Sequence, residues 1–368
     1  MPILPIDSQY MQRALKLAEQ GMFTTTPNPR VGCVIVRDGE ILGEGFTQPP
    51  GQAHAEVQAL NDVAKRGFDA KGATVYVTLE PCSHFGRTPP CADALVRAGV
   101  KRVVAAIQDP NPLVAGKGLA TLRDAGIEVE CGVMENEARE INIGFFSRMQ
   151  RGRPWVRVKA AASLDGGTAL CNGVSQWITS IAARDDGHWW RARACAVLTG
   201  IGTVKSDDPM LNVRAIETSR QPQRILIDGK LEIDPGAKFL SGGGTWIFAA
   251  QDNAEKEARL RDAGAEVVML PNAQGKVDLP ALVKELGRRQ INELHVEAGR
   301  RMNGALVRES CVDELLLYLA PSLLGDAQSM FDLGTLDELE GAQRLTFHDV
   351  QRIGPDLRIL ARFVPSKA

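Results

Sequence analysis

The chain has 368 residues, 44% hydrophobic and 24% charged, with a formal net charge of −2, which suits two globular domains with ordinary cores. A near-neutral balance without a long basic run argues against a dedicated nucleic-acid surface, and no apolar run is long enough for a membrane span. The opening MPILPIDSQY has no positive segment ahead of its apolar run, so no signal peptide is expected, and seven singly scattered cysteines suit a reduced, cytoplasmic enzyme better than a disulfide framework.

In chain order, Asp7 reads as the cap of a helix running to Gly21, with Met11, Leu15 and Ala18 on one face. In Thr26-Pro27-Asn28-Pro29 two prolines hold Asn28 in a stiff turn, preorganised to meet a ribose or a base edge. Residues 31–37 and 41–46 read as a hairpin about Asp38-Gly39. His54-Ala55-Glu56 opens a helical run. A buried strand over 73–79 ends at Glu80-Pro81-Cys82, and a further helix starts at Cys91.

One histidine and two cysteines are the donors zinc prefers, and three protein ligands leave a fourth position for water, the layout of a catalytic site. His54, Cys82 and Cys91 are the expected ligands, and Glu56 the expected proton shuttle rather than a ligand, following the His-x-Glu…Pro-Cys pattern of zinc deaminases. The usual second spacing is Pro-Cys-x-x-Cys. Here eight residues, Ser-His-Phe-Gly-Arg-Thr-Pro-Pro, separate the cysteines, a lengthening that costs little closure entropy. His84 within it is a competing ligand or a substrate contact, though Cys91 at a helix start suits a zinc thiolate better.

A strand over 102–107 leads into Gln108-Asp109-Pro110-Asn111-Pro112 and Gly116-Lys117-Gly118, where Lys117 between glycines could hold a phosphate. Residues 120–126 read as a helix, 127–130 as a strand and 135–149 as a helix, giving a three-layer α/β domain. The motifs His54-Ala55-Glu56, Glu80-Pro81-Cys82-Ser83-His84, Gly86-Arg87-Thr88-Pro89-Pro90-Cys91 and Asp109-Pro110-Asn111-Pro112 resemble the deaminase half of the bifunctional riboflavin-biosynthesis deaminase–reductases, a cytidine-deaminase-like domain, and the wide cysteine gap matches that family. The resemblance implies hydrolytic loss of the 2-amino group from 2,5-diamino-6-(5-phosphoribosylamino)pyrimidin-4-one, with Asn28 and Lys117 on the ribose phosphate.

The basic, Gly/Pro-closed run over 148–154 reads as a linker, dividing the chain into domains 1–149 and 150–368. A strand starts at Trp155. Thr179 or Ser180 caps a helix to about Arg193, and strands over 196–200, 224–228, 245–249 and 293–297 follow, with helical runs between. No Gly-x-Gly-x-x-Gly fingerprint joins a strand to a helix, so a standard Rossmann site is not expected. At Glu297-Ala298-Gly299-Arg300-Arg301 a strand end meets a helix start, where Arg300 or Arg301 could pair with a 2′-phosphate and favour NADP. The domain resembles the reductase half of the same family, with a dihydrofolate-reductase-like fold, through Lys159, Ser163-Leu164-Asp165-Gly166, Ser175-Gln176-Trp177-Ile178-Thr179, Asp207-Asp208-Pro209, Leu211, Arg214 and Glu297-Ala298-Gly299. By that resemblance Lys159, Ser175, Arg191, Leu211, Arg214 and Glu297 face the substrate, with two arginines for its phosphate. Ala161, Trp177, Thr203, Asp207 and Gly299 face NADPH, which reduces the ribosyl chain. The strand over 313–319 is apolar enough to pair across a two-fold axis, so a homo-oligomer is expected. The competing readings are a nucleoside- or RNA-directed zinc deaminase with an accessory domain, which 5% aromatics and the near-neutral charge disfavour, and a zinc-stabilised binding protein.

Overall fold

The computed structural model describes residues 4–83, 89–112 and 114–364, so the readings placed on His84 and on Gly86-Arg87-Thr88 lie outside the described residues. The chain divides into two compact units, Met1–Gly152 and Arg153–Ala368.

The first unit has helices α1 (Pro5–Gln20), α2 (Ala55–Lys65), α3 (Cys91–Arg97), α4 (Lys117–Asp124), α5 (Glu135–Ile141) and α6 (Ile143–Arg151). Its strands are β1 (Gly32–Arg37), β2 (Glu40–Phe46), β3 (Thr74–Val77), β4 (Arg102–Ala105) and β5 (Glu128–Cys131), in sheet order β2-β1-β3-β4-β5. The β1–β2 hairpin is antiparallel and turns through Asp38 and Gly39, both at positive φ, as a tight two-residue turn requires. Strands β3, β4 and β5 run parallel and are linked by helical crossovers. Helix α2 presses directly on β2 at Gly43 and Gly45. A Cβ at Gly43 would meet the Ala59 carbonyl oxygen at 2.5 Å, and one at Gly45 would meet the Ala55 carbonyl oxygen at 2.5 Å.

Two expectations change here. Asp7 does not cap α1 from outside. Helix α1 begins at Pro5, whose missing N–H costs nothing in a first turn, and Asp7 inside the helix accepts from the Leu4 amide at 2.8 Å. Its fully buried carboxylate also takes Arg102 at 2.7 and 2.9 Å and the Tyr76 hydroxyl at 2.9 Å, tying α1 to β3 and β4. The helix expected over 135–149 is broken at Asn142, whose amide accepts from the Arg30 N–H (2.7 Å) and donates to the Arg30 carbonyl (2.8 Å). Helix α6 then continues to Arg151 and ends at Gly152 in the left-handed region. The basic run taken for a linker is therefore mostly a helix end, where arginines suit the helix dipole, and the boundary between the units lies after Gly152 rather than after Met149.

Burial on its own raises the Asp7 carboxyl pKa, but hydrogen bonds from Arg102, Leu4 and Tyr76 bring it below the ordinary value. Its contribution to stability is thus complete above the unfolded pKa of about 3.9 and is lost as pH falls through the lower folded value. Asp7→Asn strands the Arg102 charge, and we expect a loss of about 3 kcal/mol near neutrality together with a flatter acid limb. Urea unfolding of the two proteins across the acid range measures both, and equal midpoints at neutrality would contradict the assignment.

The second unit has helices α7 (Ile181–Arg193), α8 (Ile201–Asp207), α9 (Ala254–Asp262), α10 (Leu279–Arg288) and α11 (Arg300–Arg308). Its strands are β6 (Trp155–Ser163), β7 (Gly167–Leu170), β8 (Ala196–Gly200), β9 (Gln223–Ile227), β10 (Thr245–Ala249), β11 (Ala265–Met269), β12 (Glu293–Val296), β13 (Glu314–Ala320), β14 (Ala327–Ser329), β15 (Leu345–Ile353) and β16 (Asp356–Phe363). Nine of them form one sheet in the order β11-β10-β9-β8-β12-β6-β13-β16-β15, while β7 and β14 pair separately. The sheet is parallel from β11 to β13 and antiparallel beyond. Ser180, one of the two caps expected, accepts from the Ala183 amide. Strand β13 is hydrogen-bonded on both sides, to β6 and to β16, so it has no free edge for pairing across a two-fold axis. The outer strands of the sheet are β11 at one end and β15 at the other, the latter with Phe347 75% exposed.

Candidate active site

Three elements of the first unit converge on a metal-ligand cluster. His54 is the N-cap of α2, Cys82 follows the end of β3, and Cys91 is the first residue of α3. His54 Nδ1 lies 3.7 Å from Cys82 Sγ and 3.4 Å from Cys91 Sγ, and the three donor atoms lie within 4.8 Å of one another. Tetrahedral zinc at bond lengths of about 2.0 Å to nitrogen and 2.3 Å to sulfur spaces its ligands by about 3.6 Å, so the donor set and its spacing fit zinc.

The electrostatics agree. Hydrogen bonding from Cys91, outweighing burial, and then from His54 brings Cys82 down to about 4, and the resulting thiolate raises Cys91. A divalent cation between them favours two thiolates. Glu56, in the first turn of α2, is buried and not among the clustered donors. Burial, and then the Cys82 thiolate, raise its carboxyl to about 7, where it can both take and give a proton near neutrality.

Two other residues of this unit were expected to contact the substrate. Asn28 is half-buried in the loop between α1 and β1, its backbone N–H donating to the Thr25 carbonyl. Lys117 is exposed at the start of α4, and the amides beside it that an external phosphate would need are taken: Gly116, Gly118 and Leu119 all donate to the Glu80 carboxylate.

In the second unit a cavity of about 1660 Å³ opens at the ends of β6, β8, β9 and β12. Lys159, Ala161, Ser175, Trp177, Arg191, Thr203, Asp207, Leu211, Arg214, Glu297 and Gly299 all line it. Gly299 is the N-cap of α11, so Arg300 and Arg301 stand in that helix's first turn at the cavity wall. Arg191 on α7 grips Glu297 with two hydrogen bonds, at 2.7 and 3.0 Å, and its third nitrogen donates to the Asn212 carbonyl at 2.6 Å. Both arginines expected at a substrate phosphate line this cavity: Arg191 is paired with Glu297, whereas Arg214 is exposed and makes no ion pair among the described residues. Burial alone raises the Glu297 carboxyl, but Arg191, then His295 and Lys159, bring it well below the usual range. Lys159 is lowered, by burial and by Arg191 against the pull of Glu297.

Sequence reasoning missed His295, which is fully buried with Nε2 3.5 Å from Glu297 Oε1, and Glu80, which makes four backbone contacts. The period-two spacing of His295 in β12 and Glu297 just past its end was the available signal for the first. Only the fold brings the second to its partners.

Two family models match the chain: the cytidine and deoxycytidylate deaminase zinc-binding region over residues 5–107, and the RibD C-terminal domain over residues 154–359. The riboflavin biosynthesis protein RibD of Escherichia coli (strain K12) is 48% identical over 365 residues, covering 95% of this chain and 98% of that protein. The chain belongs to the RibD family. Acinetobacter baumannii RibD has a structure similar over 97% of this chain and 99% of its own, with a TM-score of 0.89 and 42% identity. A diaminohydroxyphosphoribosylaminopyrimidine deaminase/5-amino-6-(5-phosphoribosylamino)uracil reductase from Thermotoga maritima matches over 97% and 99%, with a TM-score of 0.87 and 32% identity. The fold class expected from the sequence, two α/β domains with the deaminase first and the reductase second, is that of the RibD family. The chain is a bifunctional enzyme of riboflavin biosynthesis, a zinc-dependent hydrolytic deaminase and an oxidoreductase. Among the described residues no helix is long and apolar enough to cross a membrane.

Proposed function

We propose that the first unit deaminates 2,5-diamino-6-(5-phosphoribosylamino)pyrimidin-4-one and that the second reduces the resulting 5-amino-6-(5-phosphoribosylamino)uracil to its ribitylamino counterpart, with zinc and NADPH as cofactors. The observation that carries the reading is the His54, Cys82 and Cys91 cluster with a buried Glu56 on the same helix as the histidine. Zinc held there supplies Lewis-acid activation of water. Glu56 takes the proton released as water adds to C2 and passes it to the ring nitrogen; it then takes the proton of the new C2 hydroxyl and delivers it to the amine, which leaves as ammonia while the C2 carbonyl forms. Asn28 orients the ribose. Lys117 reaches the phosphate by its side chain alone, since the amides beside it are held by Glu80.

In the second unit Ala161, Trp177, Thr203, Asp207 and Gly299 would hold NADPH, whose chemistry would be hydride donation to C1′. The bond from C1′ to the ring oxygen breaks, and that oxygen takes a proton. Lys159 polarises the sugar oxygens, Glu297 and Ser175 orient the sugar, Leu211 packs on the substrate, and Arg214 takes its phosphate. Arg191 acts by holding Glu297. Arg300 or Arg301 suits the 2′-phosphate that separates NADPH from NADH. We also infer a small-molecule substrate rather than a nucleic acid, a cytoplasmic site of action, and a homo-oligomer formed through the outer edge of β15.

A coupled assay tests the reading. Ammonia release should stop on chelation and return with added zinc, while NADPH oxidation driven by the deaminated substrate continues throughout. Ammonia release that survives complete metal removal would sink the deaminase assignment, and equal rates with NADH would remove the arginines from cofactor choice. Sedimentation of the same preparation as a monomer would remove the oligomer.

A further inference from the structure

Past the end of β3 the chain continues as Thr78-Leu79-Glu80 and then turns at Pro81 to deliver Cys82. Glu80 is 3% exposed, and its carboxylate collects four backbone amides from a segment well downstream. Oε2 accepts from Asp109 at 3.1 Å and Gly116 at 2.9 Å, and Oε1 from Gly118 at 2.9 Å and Leu119 at 3.2 Å. Hydrogen bonds to an ionised acceptor are about twice as strong as neutral ones, and the first turn of a helix favours a negative charge. The α4 N-terminus is therefore occupied by an anion belonging to the chain itself.

The same contact reaches the metal ligand. Gly118 lies so close to the turn that a Cβ there would sit 1.9 Å from the Pro81 carbonyl oxygen. On the other side of the turn, the Cys82 carbonyl accepts from the Ala92 amide at 3.1 Å and Cys82 Sγ accepts from the Cys91 amide at 3.3 Å. The Pro81-Cys82 turn is thus gripped between the first turns of two helices, α3 through backbone and sulfur and α4 through Glu80. We propose that Glu80 is a positioning residue of the deaminase, fixing where the Cys82 thiolate stands by locking its turn to α4 and to the loop that starts at Asp109. This rests on His54, Cys82 and Cys91 being the zinc ligands.

The test uses the full-length holoenzyme and its cobalt(II)-substituted form, in which thiolate-to-cobalt charge-transfer and d–d bands report the geometry at the cysteines. Glu80→Gln keeps the shape but turns an amide NH2 toward two of the four N–H donors. It should retain the wild-type metal content, shift the cobalt bands, and lower deaminase kcat per bound metal by about tenfold or more, the scale expected of a sub-ångström misplacement, with KM little changed. Glu80→Asp should fall between it and wild type. Gly118→Ala, which displaces Pro81 with the carboxylate intact, should reproduce the band shift. The reductase rate is the internal reference. Glu80→Gln with wild-type bands and wild-type kcat per metal overturns the proposal, as does a loss confined to the yield of folded protein. If Glu80→Gln does not accumulate, Glu80→Asp is judged by the same two readings. Cobalt bands in wild type that lack sulfur charge transfer would instead overturn the ligand assignment beneath it.

Discussion

Glu56→Gln should lower ammonia release by about three orders of magnitude, within the 10²–10⁴-fold range of general acid–base catalysis, while zinc content and NADPH oxidation stay at wild-type levels. The residue sits in the first turn of α2, buried, outside the set of clustered donor atoms. Burial and the nearby thiolate raise its carboxyl above the ordinary value, and a carboxyl group can carry a proton in either direction. Glutamine fills the same volume and can still hydrogen-bond, but it cannot take a proton from water or return one to ammonia. Because Glu56 is not a ligand, the metal should remain, which separates this variant from any change at His54, Cys82 or Cys91. Ammonia release within tenfold of wild type would remove the glutamate from the mechanism, and loss of zinc would make it a ligand.

Arg191→Met should cost the second unit both activity and stability. In the wild-type protein Glu297 is held by two hydrogen bonds from Arg191, and its folded pKa lies well below the ordinary value. Its charge therefore contributes stability above the unfolded pKa of about 4.3, and that contribution is lost only as pH falls through the depressed folded value. Methionine keeps the apolar stem and removes the cation. Glu297 is left with Lys159 and His295, its folded pKa rises, and the stabilisation disappears. We expect about 3 kcal/mol, the low end for breaking a buried pair since Glu297 borders the cavity, and a fall of about 100-fold in kcat/KM for NADPH oxidation. The residual reductase rate should also begin to decline at a higher pH on the acid side. Stopped NADPH oxidation across pH, with ammonia release as the reference, measures all of this. A reductase rate within threefold of wild type would show that the ion pair does not shape the site.

The metal centre was legible because its chemistry is local in sequence: a His-x-Glu at a helix start and a Pro-Cys at a strand end each announce both an element and a donor. The residues of the second cavity are individually ordinary and became legible only together, through their order along a family resemblance. The structure places them along one cavity. What escaped was what only tertiary structure assembles. Asp7 looks like a cap, yet its main partners lie on β3 and β4. Asn142 sits inside an apparently continuous helical pattern and breaks it because its amide matches the Arg30 backbone on both sides. Strands β15 and β16 were unread because their alternation is interrupted, at β15 by a register shift between Phe347 and Asp349. That omission left β13 looking like an edge.

The close seating of α2 on β2 at Gly43 and Gly45 reaches further than packing. The helix carrying Glu56, with His54 as its cap, can approach the sheet so closely only because two facing residues have a hydrogen where others have a methyl. The reach of the imidazole toward the two sulfurs is therefore set partly by atoms that are absent, on a strand that supplies no ligand. Mutational drift at those two positions is closed to every other side chain unless the helix tilts or shifts, and the metal would register that displacement before the fold did.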